Sequence, residues 1–97
     1  MSSRYSTVAE IRDNEGDVIG QFPLRVVITH PQHGLRSWDA TCTTTDGSLA
    51  PHADGGTLIL KMEDGTEVKA HLAEASGHYR RGLGFRWHYR FIRALGG

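Results

Sequence analysis

The most regular alternation of apolar and polar residues lies near the C-terminal end of the chain. Positions 85–91 read FRWHYRF, with an aromatic residue at each odd position and arginine or histidine between. A β-strand directs alternate side chains to opposite faces, so this pattern predicts a strand with an aromatic face and a basic face. Each buried ring would contribute about 2 kcal/mol or more, which favours core positions over a binding platform. The rings predicted to be buried are Phe85, Trp87, Tyr89 and Phe91.

A hairpin is predicted just before this strand. Positions 57–72 read TLILKMEDGTEVKAHL, with two β-rich segments on either side of the turn sequence EDG. A three-residue loop with Gly65 in the left-handed conformation sets Leu60 opposite Val68, so that apolar side chains face each other. A two-residue loop would set Lys61 opposite Val68, which is a poorer match. The three-residue loop also predicts Leu58 opposite Ala70 and Lys61 opposite Glu67.

An earlier hairpin is predicted within residues 5–22, where the turn sequence NEG separates two β-rich segments. A two-residue loop would pair Ile11 with Val18, and a three-residue loop would pair Ile11 with Ile19. The pattern leaves both registers open. Pro23 follows and has no backbone N–H to give to a ladder, which predicts a bulge or an edge position.

The middle of the chain continues the β pattern. Residues 24–29 (LRVVIT) are predicted to form a strand that is buried on both faces near its middle. Residues 30–36 are predicted to form a loop from their proline and glycine content, and residues 48–56 are predicted to form the longest irregular connection. Residues 70–76 are compatible with a single turn of helix. Another strand within 38–44 is predicted to direct Trp38, Ala40 and Cys42 inward.

These segments amount to about six or seven strands with short turns. Regular turn signals between alternating strands are typical of all-β folds, here a small antiparallel β-sandwich or a partly open β-barrel. The length of 97 residues fits a single all-β domain over residues 1–97.

Charge is balanced over the whole chain but not along it. There are 11 basic and 11 acidic residues, yet every acidic residue lies within the first 77 positions and residues 78–97 contain five arginines. A local basic block of this kind is typical of a surface for nucleic acid or an acidic partner. It is also compatible with cross-strand ion pairs, and Glu63, Glu67 and Lys69 are the neighbours expected from the preceding hairpin.

The candidate binding surface is the basic face of the last strand together with its approach. Its residues are Arg80, Arg81, Arg86, His88 and Arg90. We expect a binding or assembly module that contacts a protein partner or a second copy of itself through an exposed strand edge. Nucleic-acid binding is the alternative, although it requires exposed rings beside the arginines, and Tyr79 is the first residue that could supply one, with Trp38 as the second candidate.

Catalytic and metal-binding patterns are weak, so we predict no enzyme activity, no cofactor and no metal site. His30, His33, Cys42 and His52 supply the ligand types of a zinc site, but only His30 and His33 are close in sequence. Cys42 has no local base, and no serine lies in a nucleophile elbow.

The cysteine content and the hydropathy predict a soluble, cytoplasmic protein. Cys42 is the only cysteine, so no disulfide forms within the chain. The first residues contain no apolar signal core, and no run approaches the roughly 20 apolar residues of a membrane helix.

Overall fold

Six antiparallel strands form one sheet that closes on itself. The computed structural model describes residues 2–29, 37–53 and 55–93. The strands are β1 (Ser2–Arg12), β2 (Val18–Thr29), β3 (Ser37–Thr44), β4 (Thr57–Lys61), β5 (Glu67–Arg80) and β6 (Gly84–Arg93). A short 3-10 helix, Ala50–His52, lies between β3 and β4. Around the ring the order is β1, β2, β3, β6, β5 and β4, and β4 pairs again with β1.

The predicted all-β class is confirmed, and the ring is not a regular barrel. The strands differ in length, and the ladders between them differ more. β1 pairs with β2 along its full length, whereas it pairs with β4 only at Glu10, Ile11 and Arg12. Long strands paired over short distances leave stretches of sheet with one neighbour only.

The β4–β5 hairpin has the predicted three-residue loop. Leu60 lies opposite Val68, and Gly65 has a φ of 89°. The Met62 N–H donates to the carbonyl oxygen of Thr66 at 2.8 Å, which closes the loop. Cross-strand pairing and turn chemistry favour the same register here, so local sequence was sufficient. The other two predicted pairs, Leu58–Ala70 and Lys61–Glu67, are also present.

The β1–β2 hairpin adopts a register that neither predicted loop gives completely. Arg12 lies opposite Val18, as the three-residue loop requires, but Ile11 lies opposite Gly20. Ile19 is therefore an extra residue in β2, which makes a β-bulge. The alternation of residues does not show where a strand takes an additional residue, so both predicted partners of Ile11 were wrong.

Pro23 lies inside β2, at a point where β2 has one neighbour. It is opposite Val8 of β1, while the β2–β3 ladder begins only at Arg25. The Val8 N–H donates to the Glu63 carboxylate at 2.8 Å, on the side of β1 away from β2. Because backbone groups alternate along a strand, the nitrogen of Pro23 points away from β1, toward the gap before the β3 ladder. The predicted edge position of Pro23 is confirmed.

The core fills the ring with residues from all six strands, from the β3–β4 connection and, at Met62, from the start of the β4–β5 loop. The buried residues are Ala9, Ile11, Phe22, Leu24, Val26, Ala40, Cys42, Leu49, Leu58, Leu60, Met62, Ala70, Leu72, Tyr89 and Phe91. Ala40 and Cys42 are inward, as predicted, and Trp38 packs against this core. Val26 is fully buried but Val27 is only half-buried, so burial of β2 on both faces is incomplete.

The inner face of β6 is buried at one end and exposed at the other. Tyr89 and Phe91 are fully buried, as predicted, and Trp87 is half-buried against the core. Phe85 is 45% exposed, so its predicted core position was wrong. The physical reason is the length of β6: its ladder with β3 ends where Thr44 lies opposite Trp87, and Phe85 lies beyond that point.

The β3–β4 connection packs over the last buried rings of β6. The Tyr89 hydroxyl donates to the Asp46 carbonyl oxygen at 2.8 Å. A Cβ on Gly47 would lie 2.6 Å from Nε1 of Trp87, so only glycine lets the backbone approach the indole this closely. Leu49 is fully buried. The loop predicted over residues 48–56 is therefore partly core, which its small and polar composition concealed.

The prediction of a helical turn at residues 70–76 was wrong. Residues 70–76 belong to the long strand β5 and not to a turn of helix, because β6 pairs with all of them except Ala73, where the register shifts. The predicted loop at 30–36 lies outside the described residues.

Replacing Tyr89 with phenylalanine tests the contact between β6 and this connection. The Tyr89→Phe change keeps the ring and removes the hydroxyl that binds Asp46. We expect the free energy of unfolding to fall by about 1 kcal/mol, the usual net value of one such hydrogen bond. Urea unfolding measures it. Tyr5→Phe is the matched control, because Tyr5 is exposed, and equal losses in both variants would contradict the role given to the Tyr89 hydroxyl.

Candidate functional site

The β5–β6 hairpin extends past the rest of the ring. The β3–β6 ladder ends at Trp87, whereas β5 and β6 continue to pair as far as Arg80 and Gly84. Residues 77–86, here called the hairpin tip, therefore have no third strand beside them within the described chain. The turn is closed by the Leu83 N–H, which donates to the Arg80 carbonyl oxygen at 3.0 Å, and Gly82 supplies a φ of 85°.

Apolar side chains are exposed at the hairpin tip. Tyr79 is 73% exposed, Leu83 59% and Phe85 45%. Tyr79 lies opposite Phe85, so both rings are on the same side of the hairpin. These three exposed side chains, here called the apolar cluster, all belong to the hairpin tip, and exposed apolar groups of this kind are typical of a contact surface.

A row of aromatic rings connects this cluster to the core. The rings of Trp87 and Tyr89 are parallel, with centroids 6.0 Å apart. The ring of Phe85 meets Trp87 edge to face at 5.4 Å. It also lies against Gly77, where a Cβ would collide with the ring. Phe85 is thus held in position on one side by contacts and open to solvent on the other.

The opposite face of the hairpin is basic. His78 lies opposite Arg86, and His88 lies between Ser76 of β5 and Thr43 of β3. The Nδ1 atom of His88 is 3.1 Å from the Thr43 hydroxyl. A shallow depression of about 500 Å³ lies here. It is lined by Thr43, His78, Tyr79, Arg80, Leu83, Arg86 and His88.

Arg90 is separated from the other predicted site residues by its own ion pair. Its Nη2 atom is 2.7 Å from Oδ2 of Asp39, and its Nε atom is 3.1 Å from the same oxygen. The hydrogen bond and charge of Asp39 raise the pKa of Arg90. The predicted cross-strand pairing is confirmed for Arg90, but the partner lies on β3. Glu63, expected as a neighbour, instead accepts the Val8 N–H.

The structure therefore brings together four of the five predicted site residues. Arg80, Arg86 and His88 share the depression, and Arg81 lies next to Arg80 in the turn. Among the described residues, none of the three arginines forms an ion pair; Arg86 donates only to the Phe85 carbonyl oxygen, at 3.4 Å. Three guanidinium groups are thus available to a partner.

Sequence reasoning predicted the exposure of Tyr79 but missed that of the other two members of the apolar cluster. Leu83 lies in the turn and was not singled out, and Phe85 was assigned to the core. The alternation in FRWHYRF gives the face of each ring, but it does not give the point where the neighbouring strand ends. The glycines Gly82 and Gly84 were the only local signal, since a turn directly before Phe85 places that ring near the hairpin end.

The residues considered for metal binding or catalysis do not form a site in the described chain. No group of three or more potential ligands is present among these residues. Cys42 is buried in the core, where desolvation, with a smaller contribution from the charge of Asp46, raises the pKa of its thiol to about 11. His52 lies on the short 3-10 helix, and His30 and His33 lie outside the described residues.

Comparisons with known proteins identify no relative. No family model, no curated protein and no solved structure matches the chain. Among the helices of the described residues, none is long and apolar enough to cross a membrane.

The buried thiol of Cys42 should make stability depend on alkaline pH. Its pKa rises from 9.0 to about 11 on folding, so the unfolded chain loses the proton first as the pH increases. The contribution of the buried thiol to the free energy of unfolding is therefore complete below pH 9.0 and is lost as the pH rises toward about 11. We expect the stability difference between wild type and Cys42→Ala, measured by urea unfolding, to be constant below this window and to shrink within it.

Other groups also titrate in this range, and the Cys42→Ala variant controls for them because it retains all of them. A stability difference that stayed constant up to pH 11 would show that the folded state does not shift the thiol.

Proposed function

We propose that this protein is a non-enzymatic binding module that docks a protein partner through the hairpin tip. The observation that carries the proposal is the exposure of Tyr79, Leu83 and Phe85 beside arginines that have no carboxylate partner among the described residues. A partner surface that covers these apolar side chains would remove them from water, and the neighbouring arginines favour a surface that carries carboxylates.

The composition of the hairpin tip supports a protein partner. Tyrosine and arginine are enriched among the residues that dominate binding energy in protein interfaces. Tyr79 and Phe85 are presented by a two-stranded ribbon, and Phe85 is already ordered by Gly77 and Trp87. A partner that covers ordered rings pays less conformational entropy than one that must immobilise mobile side chains.

Charge indicates the chemistry of the partner surface. Residues 78–97 contain no acidic residue, and Arg80, Arg81 and Arg86 belong to the same hairpin tip as the apolar cluster. A complementary surface has an apolar centre with carboxylates at its rim. Such rim pairs contribute to specificity and to the rate of association more than to affinity.

Nucleic-acid binding is the second candidate, and exposed rings favour it. Tyr79 and Phe85 are open to solvent near guanidinium groups, as in proteins that stack bases and contact phosphates. The strand geometry weighs against it, because Phe85 and Arg86 are neighbours in β6 and point to opposite faces. A strand of nucleic acid would have to bend around the hairpin edge to meet both.

Site-specific photo-crosslinking from the hairpin tip tests the proposal. A photo-reactive residue in place of Leu83 is expected to give a discrete protein adduct in cells. The same residue in place of Val18 is the matched control, because Val18 is exposed but lies in the β1–β2 hairpin. Adducts that disappear on nuclease treatment would favour nucleic acid, and absence of any Leu83-specific adduct would contradict a docking role.

Once a partner is isolated, two substitutions measure the contribution of each feature. We expect Tyr79→Ala and Arg86→Glu each to weaken binding at least about tenfold, which corresponds to about 1.4 kcal/mol. Lys69→Glu makes the same charge change on β5, away from the hairpin tip, and should leave affinity almost unchanged. Affinity is measured by isothermal titration calorimetry.

The nucleic-acid alternative has its own measurement. Fluorescence anisotropy with labelled single and double strands at two salt concentrations detects phosphate contacts, since these make affinity fall steeply as salt increases. No binding at low salt removes this alternative.

A cytoplasmic location is part of the proposal and is supported by the single, buried, free thiol of Cys42.

A further inference from the structure

Among the described residues, no strand pairs with the outer edge of the first half of β1. β1 pairs with β2 along its whole length, but its other edge meets β4 only from Glu10 onward. Residues 2–8 are therefore paired on one side alone within the described chain. Such an edge presents N–H and C=O groups that a further strand can bind.

The direction of the backbone groups follows from Val8 and Pro23. These residues are opposite each other, and Pro23 has no N–H, while the Val8 N–H donates outward to Glu63 at 2.8 Å. No register shift interrupts the ladder between Ser2 and Ile11. Because backbone groups alternate in direction, Arg4 and Ser6 also present their N–H and C=O groups at the open edge.

We propose that a second copy of this chain binds the open edge, with its own β1 antiparallel to the first. A twofold axis at Ser6 pairs the two Ser6 residues and sets Arg4 of each copy opposite Val8 of the other. The two closed sheets then continue into each other across the β1–β1 contact. This inference does not involve the hairpin tip and goes beyond the proposed function.

Charge makes this edge complementary to itself. Glu63 lies beside Val8, and its carboxylate accepts a hydrogen bond from the outward N–H of Val8. In the dimer, the Arg4 backbone of the second copy binds Val8 and displaces that carboxylate. The released carboxylate then lies beside the Arg4 guanidinium of the second copy, and the same exchange occurs on the other side of the axis. Each monomer thus contributes one guanidinium group and one carboxylate to the two ion pairs of the dimer.

Other twofold registers fit less well. An axis at Thr7 would set Arg4 opposite Glu10, whose outer edge is already occupied by Lys61 of β4, whereas the axis at Ser6 brings only Ser2, the first residue of β1, to that position. An axis at Tyr5 would set Arg4 opposite Ser6 and leave its charge away from Glu63. The Ser6 register is therefore the one in which the open edge and the charges coincide.

Apolar contacts add to the backbone pairing. Tyr5 and Val8 are each 42% exposed and lie on opposite faces of β1. Val8 covers the aliphatic part of Arg4 in the second copy, and Tyr5 meets Thr7. Aromatic and β-branched cross-strand pairs of this kind stabilise sheets.

Sedimentation velocity over a range of concentrations tests the dimer, and Ser6→Pro removes its central contact. The substitution deletes an N–H that β2 does not use, at an exposed position on an edge, where proline is tolerated. We expect the wild type to form a dimer at high concentration and Ser6→Pro to remain a monomer with an unchanged circular dichroism spectrum.

Charge exchange tests the register without relying on proline. Arg4→Glu and Glu63→Arg should each weaken the dimer at least about tenfold, because two attractive contacts become repulsive. The double variant should recover dimer formation, and an equimolar mixture of the two single variants should form a heterodimer. Lys69→Glu is the matched control and should dimerise as the wild type does.

Three results would overturn the inference. The first is a wild-type protein that stays monomeric up to about 1 mM. The second is a dimer that Ser6→Pro and both charge variants leave intact. The third is a dimer that Arg81→Glu disrupts, which would put the contact at the hairpin tip.

Discussion

The structure depends on the burial of the inner face of β6 under the β3–β4 connection. Tyr89 is central to it, with its ring in the core and its hydroxyl bound to the Asp46 carbonyl oxygen. Gly47 lets the backbone approach Trp87, and Leu49 completes the core from the same connection. These contacts hold β6 between β3 and β5, which closes the ring. The Gly84 end of β6 then extends past the end of β3.

That arrangement separates the arginines into two groups with different roles. Arg90 lies where β6 has a neighbour on each side, and Asp39 neutralises it. Arg80, Arg81 and Arg86 lie where β3 has ended, and the described chain offers them no carboxylate. The same ending exposes Phe85 and leaves Tyr79 uncovered. Charge and apolar surface therefore coincide at the hairpin tip for one geometric reason, which is the unequal length of neighbouring strands.

Unequal strand lengths also explain the open edge of β1. A closed sheet normally leaves no edges, and that closure protects it from further pairing. Here the ring closes through a short ladder at Glu10, Ile11 and Arg12, and the rest of β1 extends beyond it. Glu63 reaches across to Val8 and satisfies one exposed N–H, which blunts the edge without covering it. The hairpin tip and the first half of β1 therefore have the same origin, because in both places a strand continues past the end of its neighbour.

Local sequence determined the strands, the faces of their side chains and the register of the β4–β5 hairpin. These features depend on alternation and on turn residues such as Gly65, which act over a few positions and are visible in the chain itself. The sequence also identified the basic residues of the hairpin tip. Only the tertiary structure decided that Ile19 forms a bulge, that residues 70–76 remain extended, that Leu49 enters the core and that Phe85 leaves it. The bulge depends on how β1 and β2 align beyond their turn. Residues 70–76 and Phe85 depend on where a neighbouring strand begins or ends, and Leu49 depends on packing into a core built from all the strands, so these features are set by contacts between segments far apart in the chain.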